Sequence, residues 1–195
     1  MDLPTWSESG AGRTSVCVTE RCEKWIGNRH IRHTETPSQL CLKTRNVPSV
    51  YRYSILVSQD AIDANGHANN VEYLRWMQDA AVSHADAAGG TDATRNAGAS
   101  WVVRSHHVEY LQPTFAGDRL VVLTWVSNFR KVRSLRKYLL LRETDRAVIA
   151  RGETDWVFVE SQSGRPIAIP KEVFSLFEMV PPSLEPRDGT ALGRS

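Results

Sequence analysis

Asp63-Ala64-Asn65-Gly66-His67-Ala68-Asn69-Asn70-Val71-Glu72-Tyr73-Leu74-Arg75-Trp76 decides how the rest of the chain is read. It packs a carboxylate, amides, an imidazole and a glycine into what reads as a turn. Before it, Tyr51, Tyr53, Ile55 and Val57 alternate with Arg52, Ser54 and Ser58, the period of a half-buried strand. After it, Val71, Leu74, Met77, Ala81, Ala85 and Ala88 recur at three- and four-residue steps, the apolar stripe of a helix. Asn69 or Asn70 can cap that helix, Glu72 suits its first turn, and Gly89-Gly90 ends it. Polar groups therefore sit where a strand feeds a helix N-terminus. Unpaired N–H groups and the helix dipole favour negative charge there.

Working outward, a Gly/Ala/Thr/Asn stretch to Ala99 reads as a loop. Strand-like segments follow at about Trp101 to Tyr110, Leu120 to Phe129, Ser134 to Glu143 and Ala147 to Glu160. Their short connections make neighbours antiparallel. Lys171 to Phe177 reads as a short helix. One helix cannot cover both faces of such a sheet, so the sheet must bend around it or pair with another subunit.

Length and composition set limits. A chain of 195 residues suits one domain with tails. Residues 1–47 are polar and aperiodic and read as a disordered extension, 48–180 as the domain, and 181–195 as a loose tail. A net charge of +2 argues against a dedicated nucleic-acid binder. No run approaches the ~20 apolar residues of a membrane span. The N-terminus has no apolar signal core, so a cytoplasmic location is expected. Cys17, Cys22 and Cys41 form no disulfide framework, and Cys17 and Cys22 lack the second ligand pair of a zinc site even with His30 and His33 following. No metal or cofactor is expected.

The opening stretch resembles the signature of the hotdog-fold thioesterases, the 4-hydroxybenzoyl-CoA thioesterase-like superfamily, which reads roughly Asp-x-x-Gly-(His)-x-x-Asn-x-x-Tyr-x-x-(Trp/Phe). Asp63, Gly66, Tyr73 and Trp76 fall in register without a gap. The variant Asp-x-Asn-x-His-x-Asn-Asn is also similar to the plant acyl-carrier-protein thioesterases. Val108 to Pro113 with Gly117-Asp118, and Thr154 to Val159 with Gly164-Arg165-Pro166-Ile167, look like later segments of the same family. The resemblance covers about residues 50 to 178. It implies an α+β hotdog fold: a curved antiparallel five-stranded sheet wrapped around one long central helix. It also implies a homodimer or homotetramer with sites between protomers.

Thioester hydrolysis needs a base or nucleophile at the carbonyl carbon and donors for the developing oxyanion. By resemblance, Asp63 supplies the carboxylate and the Asn70 backbone amide polarises the carbonyl. Carried over from the plant enzymes, Asn65 and His67 orient groups or transfer protons. Those enzymes carry a further Glu where Thr114 stands here, so a scheme centred on Asp63 and the Asn70 amide is the simpler one. Gly66 would let the backbone bend close to the acyl group. Arg130, Lys131, Arg133, Ser134 and Arg136, with Arg104, suit the phosphates of coenzyme A. Ser134, Arg136 and Tyr138 would share one strand face.

The expected reaction is hydrolysis of an acyl-CoA or acyl-carrier-protein thioester. A hydratase or dehydratase on the same fold is the rival enzyme. Its signature Asp-x-Asn-Pro-x-His is similar, but Pro is absent here and His67 comes one residue early. A non-catalytic acyl-CoA-binding domain is the third reading. Asp63 and Asn65 also suit a purely structural turn.

Overall fold

The computed structural model describes residues 48–192. The expectations for residues 1–47, including Cys17, Cys22 and Cys41, lie outside the described residues. Strand β1, Val50–Leu56, is followed by a 3-10 turn at Gln59–Ala61 and the Asp63 turn. Helices α1 (Asn70–Ala88) and α2 (Gly90–Asn96) come next. Then run β2 (Ala99–Tyr110), β3 (Arg119–Phe129), β4 (Arg133–Arg142), β5 (Val148–Glu160) and α3 (Lys171–Phe174).

The strands form one antiparallel sheet in the order β1-β3-β4-β5-β2, with Tyr53 opposite Val122, Leu140 opposite Ala150 and His106 opposite Thr154. Register shifts leave Arg104 of β2, Ser127 of β3 and Ile149 of β5 without a partner in the ladders. Irregularities of this kind bend a sheet. With α1 packed on one face, this is the hotdog arrangement that the resemblance implies. Each strand expectation is met within a few residues.

On the helix face, Tyr73, Trp76, Met77, Ala80 and Ala81 pack against Leu120, Val122, Tyr138, Leu140 and Ile149. The buried stripe is rotated from the expected one: Val71 is exposed, while Tyr73, Trp76 and His84 are buried. Small alanines and a glycine on the strand below bring helix and sheet close. A Cβ on Gly152 would lie 2.5 Å from Met77 Sδ. Met77→Ala should therefore cost about 2–5 kcal/mol in denaturant unfolding. Gly152→Ala, which overpacks the same spot, should cost about 1–3 kcal/mol. The double variant should cost clearly less than the sum, because each change relieves the other. Additive costs would show that the two positions do not share space.

The other face is also covered. Val121, Leu123, Trp125, Leu139 and Leu141 are buried beneath Val180, with Leu192 packed alongside. The segment after Pro181, expected to be loose, is held down over its described residues, while 193–195 lie outside them. Glu185 accepts from Lys137 Nζ at 2.8 Å and Ser127 Oγ at 3.1 Å, and Arg151 donates to the Arg187 carbonyl. These anchors join residues about 50 positions apart, which no local pattern announces. Burial opposes ionisation of Glu185, yet the hydrogen bonds from Lys137 and Ser127, together with the Lys137 charge, prevail and hold its carboxyl below the ordinary range. The folded state thus binds this proton less tightly than the unfolded chain. The stabilisation is complete above the ordinary glutamate pKa and is lost as pH falls through the depressed one. Glu185→Gln should flatten that acid limb of a stability–pH curve. An unchanged limb would assign the acid sensitivity elsewhere.

Helix α2 was expected to be loop. Its residues carry no apolar stripe, and tertiary contacts form it instead. Gly89 at φ +80 closes α1, its N–H reaching the Ala85 and Asp86 carbonyls, and the chain restarts as α2 at once. Gly90 lies under the Phe177 ring so closely that a Cβ would be 2.7 Å from it, and Thr94 Oγ1 accepts from Trp101 Nε1.

Candidate active site

Between β1 and α1 the chain makes a closed turn. Ile62 and Ala68 form an antiparallel bridge, and within it Asp63 N–H donates to the His67 carbonyl at 3.0 Å. Gly66 N–H donates back to the Asp63 carbonyl. Gly66 takes φ +82, a left-handed conformation that costs a side-chain-bearing residue about 1–2 kcal/mol. No atom lies within 4 Å of where its Cβ would be, so conformation rather than space calls for glycine.

The Asp63 carboxylate is oriented from within the turn. Oδ1 accepts from Asn65 N–H at 2.8 Å and Oδ2 from Asn65 Nδ2 at 3.2 Å. A carboxylate has about four lone-pair sites, so each oxygen retains one for another partner. Asn65 is thus the residue that holds Asp63. His67 is half-buried, and its ring makes no hydrogen bond among the described residues.

Asn69 caps α1: its Oδ1 accepts from Val71 N–H at 3.0 Å, and its carbonyl from Glu72 N–H. The Asn70 N–H, first in the helix, has no acceptor among the described residues. A donor without an intrahelical partner is what a helix start provides. The turn therefore places a fixed carboxylate and an available backbone donor on either side of one bridge.

Neighbouring strands hold this assembly. Ala68 N–H donates to the Thr114 carbonyl, and Thr114 Oγ1 to Asp118 Oδ2 at 2.7 Å. Thr114 is fully buried beside the turn and supplies no acid. The Tyr110 hydroxyl, from the end of β2, donates to the Asn70 carbonyl at 3.2 Å, and its ring meets Tyr73 edge-on. Sequence reasoning missed Tyr110 as an anchor. It lies 40 residues from Asn70, and only the strand order brings it there.

The basic residues are not beside Asp63 in the same chain. Arg130 and Lys131 are exposed in the hairpin joining β3 to β4. Arg104 and Arg133 both pair with Asp155, at 3.2 and 2.9 Å. Thr114 and the Asp63 turn lie at the opposite end of β3, roughly 30 Å away at strand rise. Ser134, Arg136 and Tyr138 do share one face, and it is the helix face: all are buried, Arg136 within hydrogen-bond reach of His84 and Thr124. Arg136 is thereby separated from its exposed basic neighbours.

Among the described residues no cluster of His, Cys, Asp or Glu could hold a metal ion. No described helix is long and apolar enough to cross a membrane.

No curated protein sequence matches the chain. Among solved structures, a 1,4-dihydroxy-2-naphthoyl-CoA thioesterase from Synechocystis superposes with a TM-score of 0.60 at 16% identity, over 65% of this chain and 94% of that one. YbaW, a probable thioesterase from Escherichia coli, gives 0.60 at 17% identity, over 65% and 95%. The 12:0-ACP thioesterase from Umbellularia californica gives 0.60 at 20%, over 67% of this chain and 55% of that one. These likenesses show the fold. Residues 57–177, well over half the chain, match the model of the thioesterase-like superfamily, and that span runs from the end of β1 through the Asp63 turn to the last helix. The chain thus belongs to the thioesterase-like superfamily and is a thioester hydrolase of hotdog fold.

Proposed function

We propose that this protein hydrolyses acyl-CoA thioesters, with Asp63 as base or nucleophile and the Asn70 N–H as oxyanion donor. The observation that carries the reading is an oriented carboxylate held in a closed turn and, two residues past the bridge that closes it, a helix-start N–H without an acceptor among the described residues. In the general-base form, Asp63 takes a proton from water as the water oxygen bonds to the carbonyl carbon. The carbonyl electron pair moves onto oxygen, where Asn70 N–H donates to it. Collapse re-forms the carbonyl and breaks the C–S bond, and the thiolate takes up the proton. Such a donor acts where charge develops, so it stabilises the transition state more than the substrate. Asn65 keeps Asp63 in place, and His67, with its ring free among the described residues, is available to relay a proton.

Arg130 and Lys131, with Arg104 and Arg133 nearby, suit the phosphates of coenzyme A; Ser134, buried on the helix face, does not share that surface. A single chain separates them from its own Asp63, so the reading requires a homodimer or homotetramer in which one protomer brings the turn and another the basic hairpin. The edge strand β2 supports this: it is exposed on both faces over much of its length, including Val102 and Val103. An open edge of that kind is a pairing surface.

The test is free-thiol release by the purified protein from short, medium, long and aromatic acyl-CoAs. Carrier-protein thioesters and crotonyl-CoA hydration are run in parallel. Release from a CoA thioester is expected. Turnover of carrier-protein thioesters alone would move the substrate class. Hydration without thiol release would replace hydrolysis by the hydratase reaction.

A further inference from the structure

A cavity of about 460 Å³ opens beside the C-terminal half of α1. Its walls include Ala81 and Ala85 of α1, and the rings of Trp101, Phe129, Trp156 and Phe177. Ser134 and Arg136 also line it. No residue of the Asp63 turn does. Along α1 its lining begins roughly 12 Å beyond Asn70 at helical rise. It lies instead at the end of the sheet that carries the β3–β4 hairpin.

Arg136 is the unusual member of that wall. It is 6% exposed, yet no carboxylate pairs with it among the described residues. Its Nη1 donates to His84 Nδ1 at 2.9 Å and Thr124 Oγ1 at 3.3 Å, and its guanidinium carbon stands 5.8 Å from the Phe177 ring centre. Burial, then the Arg136 charge, lowers the His84 pKa to about 3, so His84 is neutral. A guanidinium only donates, so His84 Nδ1 must accept, and the ring proton sits on Nε2. His84 is locked in that role by Tyr51, stacked at 5.1 Å, and by the edge of Phe177. The pair thus orients a cation without neutralising it. Burying an uncompensated charge is costly, and guanidinium has five donors in a fork suited to a carboxylate. The described hydrogen bonds use one of its nitrogens.

We propose that this cavity binds a carboxylate borne on an apolar or aromatic body, with Arg136 as its counter-charge. The aromatic walls bury the body, and the positive charge at the wall selects an acid over a neutral molecule of equal size. Two sources carry this chemistry: the far end of an acyl group undergoing hydrolysis, or a free acid such as the released product. The first rests on the proposed thioesterase reaction; binding itself does not.

The test uses the full chain. Tryptophan fluorescence, to which Trp101 and Trp156 report, and calorimetry follow binding of 2-naphthoate and decanoate, with 2-naphthamide and decanamide as neutral controls. Wild type should bind each acid at least tenfold more tightly than its amide. Arg136→Met should abolish that preference. Ala85→Leu, which fills the cavity and keeps the guanidinium, should weaken acid and amide together. Its thermal unfolding is checked against wild type, so that a failure of Arg136→Met to fold leaves the proposal testable. Equal binding of acid and amide by wild type, no binding of either, or unchanged acid binding in Ala85→Leu would overturn it. CoA thioesters of decanoic and decanedioic acid then separate the sources. A KM at least tenfold lower for the dicarboxylic thioester, lost in Arg136→Met, assigns the acyl end. Acid binding without that KM difference assigns a free acid. If no thioester is turned over, the hydrolase reading fails while the binding measurement still decides this one.

Discussion

Asp63→Asn is expected to reduce thioester hydrolysis by about 10²–10⁴-fold, the usual effect of removing a positioned base. The replacement is nearly isosteric. Its side-chain oxygen can still accept from Asn65 N–H, the 2.8 Å bond that shapes the turn. The bridge between Ile62 and Ala68 and the Asn69 cap are backbone and neighbouring features that the change does not touch. Thermal unfolding should therefore stay close to wild type while kcat falls. Activity within a few-fold of wild type would reduce Asp63 to a turn residue and move the search for a base to His67.

Asn70→Pro is expected to cost about 10²–10³-fold in kcat, the scale measured for losing one oxyanion donor. The usual difficulty is that a backbone N–H cannot be mutated away without damage. Here the position permits it. Asn70 is the first residue of α1, where proline's missing N–H breaks no helical bond and its fixed φ suits the helix. The preceding residue, Asn69, has φ −62° and ψ 140°, the extended conformation that a following proline prefers. The capping bond from Asn69 to Val71 N–H and the Tyr110 bond to the Asn70 carbonyl survive. Asn70→Ala, which keeps the N–H and loses only the side chain, is the control and should remain active. If both variants lose activity equally, the side chain rather than the backbone donor matters. If neither does, the oxyanion is held elsewhere.

The elements around Asp63 were legible because their signals are local. The alternation of Tyr51, Tyr53 and Ile55, the Asn69 cap and the Gly89 stop each act within a few residues, and the structure has all three. The rotation of the α1 stripe was not legible. Val71 and Tyr73 are both apolar enough to face a core, and only the sheet decides which does. Helix α2 escaped because Gly90-Thr91-Asp92-Ala93 has neither stripe nor strong propensity; Phe177, far along the chain, helps to hold it. Arg136 showed the same limit from another side. Its place in a basic run suggested solvent and phosphate, while its strand parity, shared with Ser134 and Tyr138, puts it under α1. The link to His84 spans 52 residues and has no sequence signature.

The segment lying across the outer face of the sheet bears on where this chain tolerates being cut. Val180 and Leu192 cover Leu123, Trp125, Leu139 and Leu141. A protease nick near Pro181, or a fusion that pulls the last residues away, would uncover a broad apolar surface on the side opposite α1. Surfaces of that kind drive self-association. The segment from Val180 to Leu192 thus behaves as a seal on the sheet.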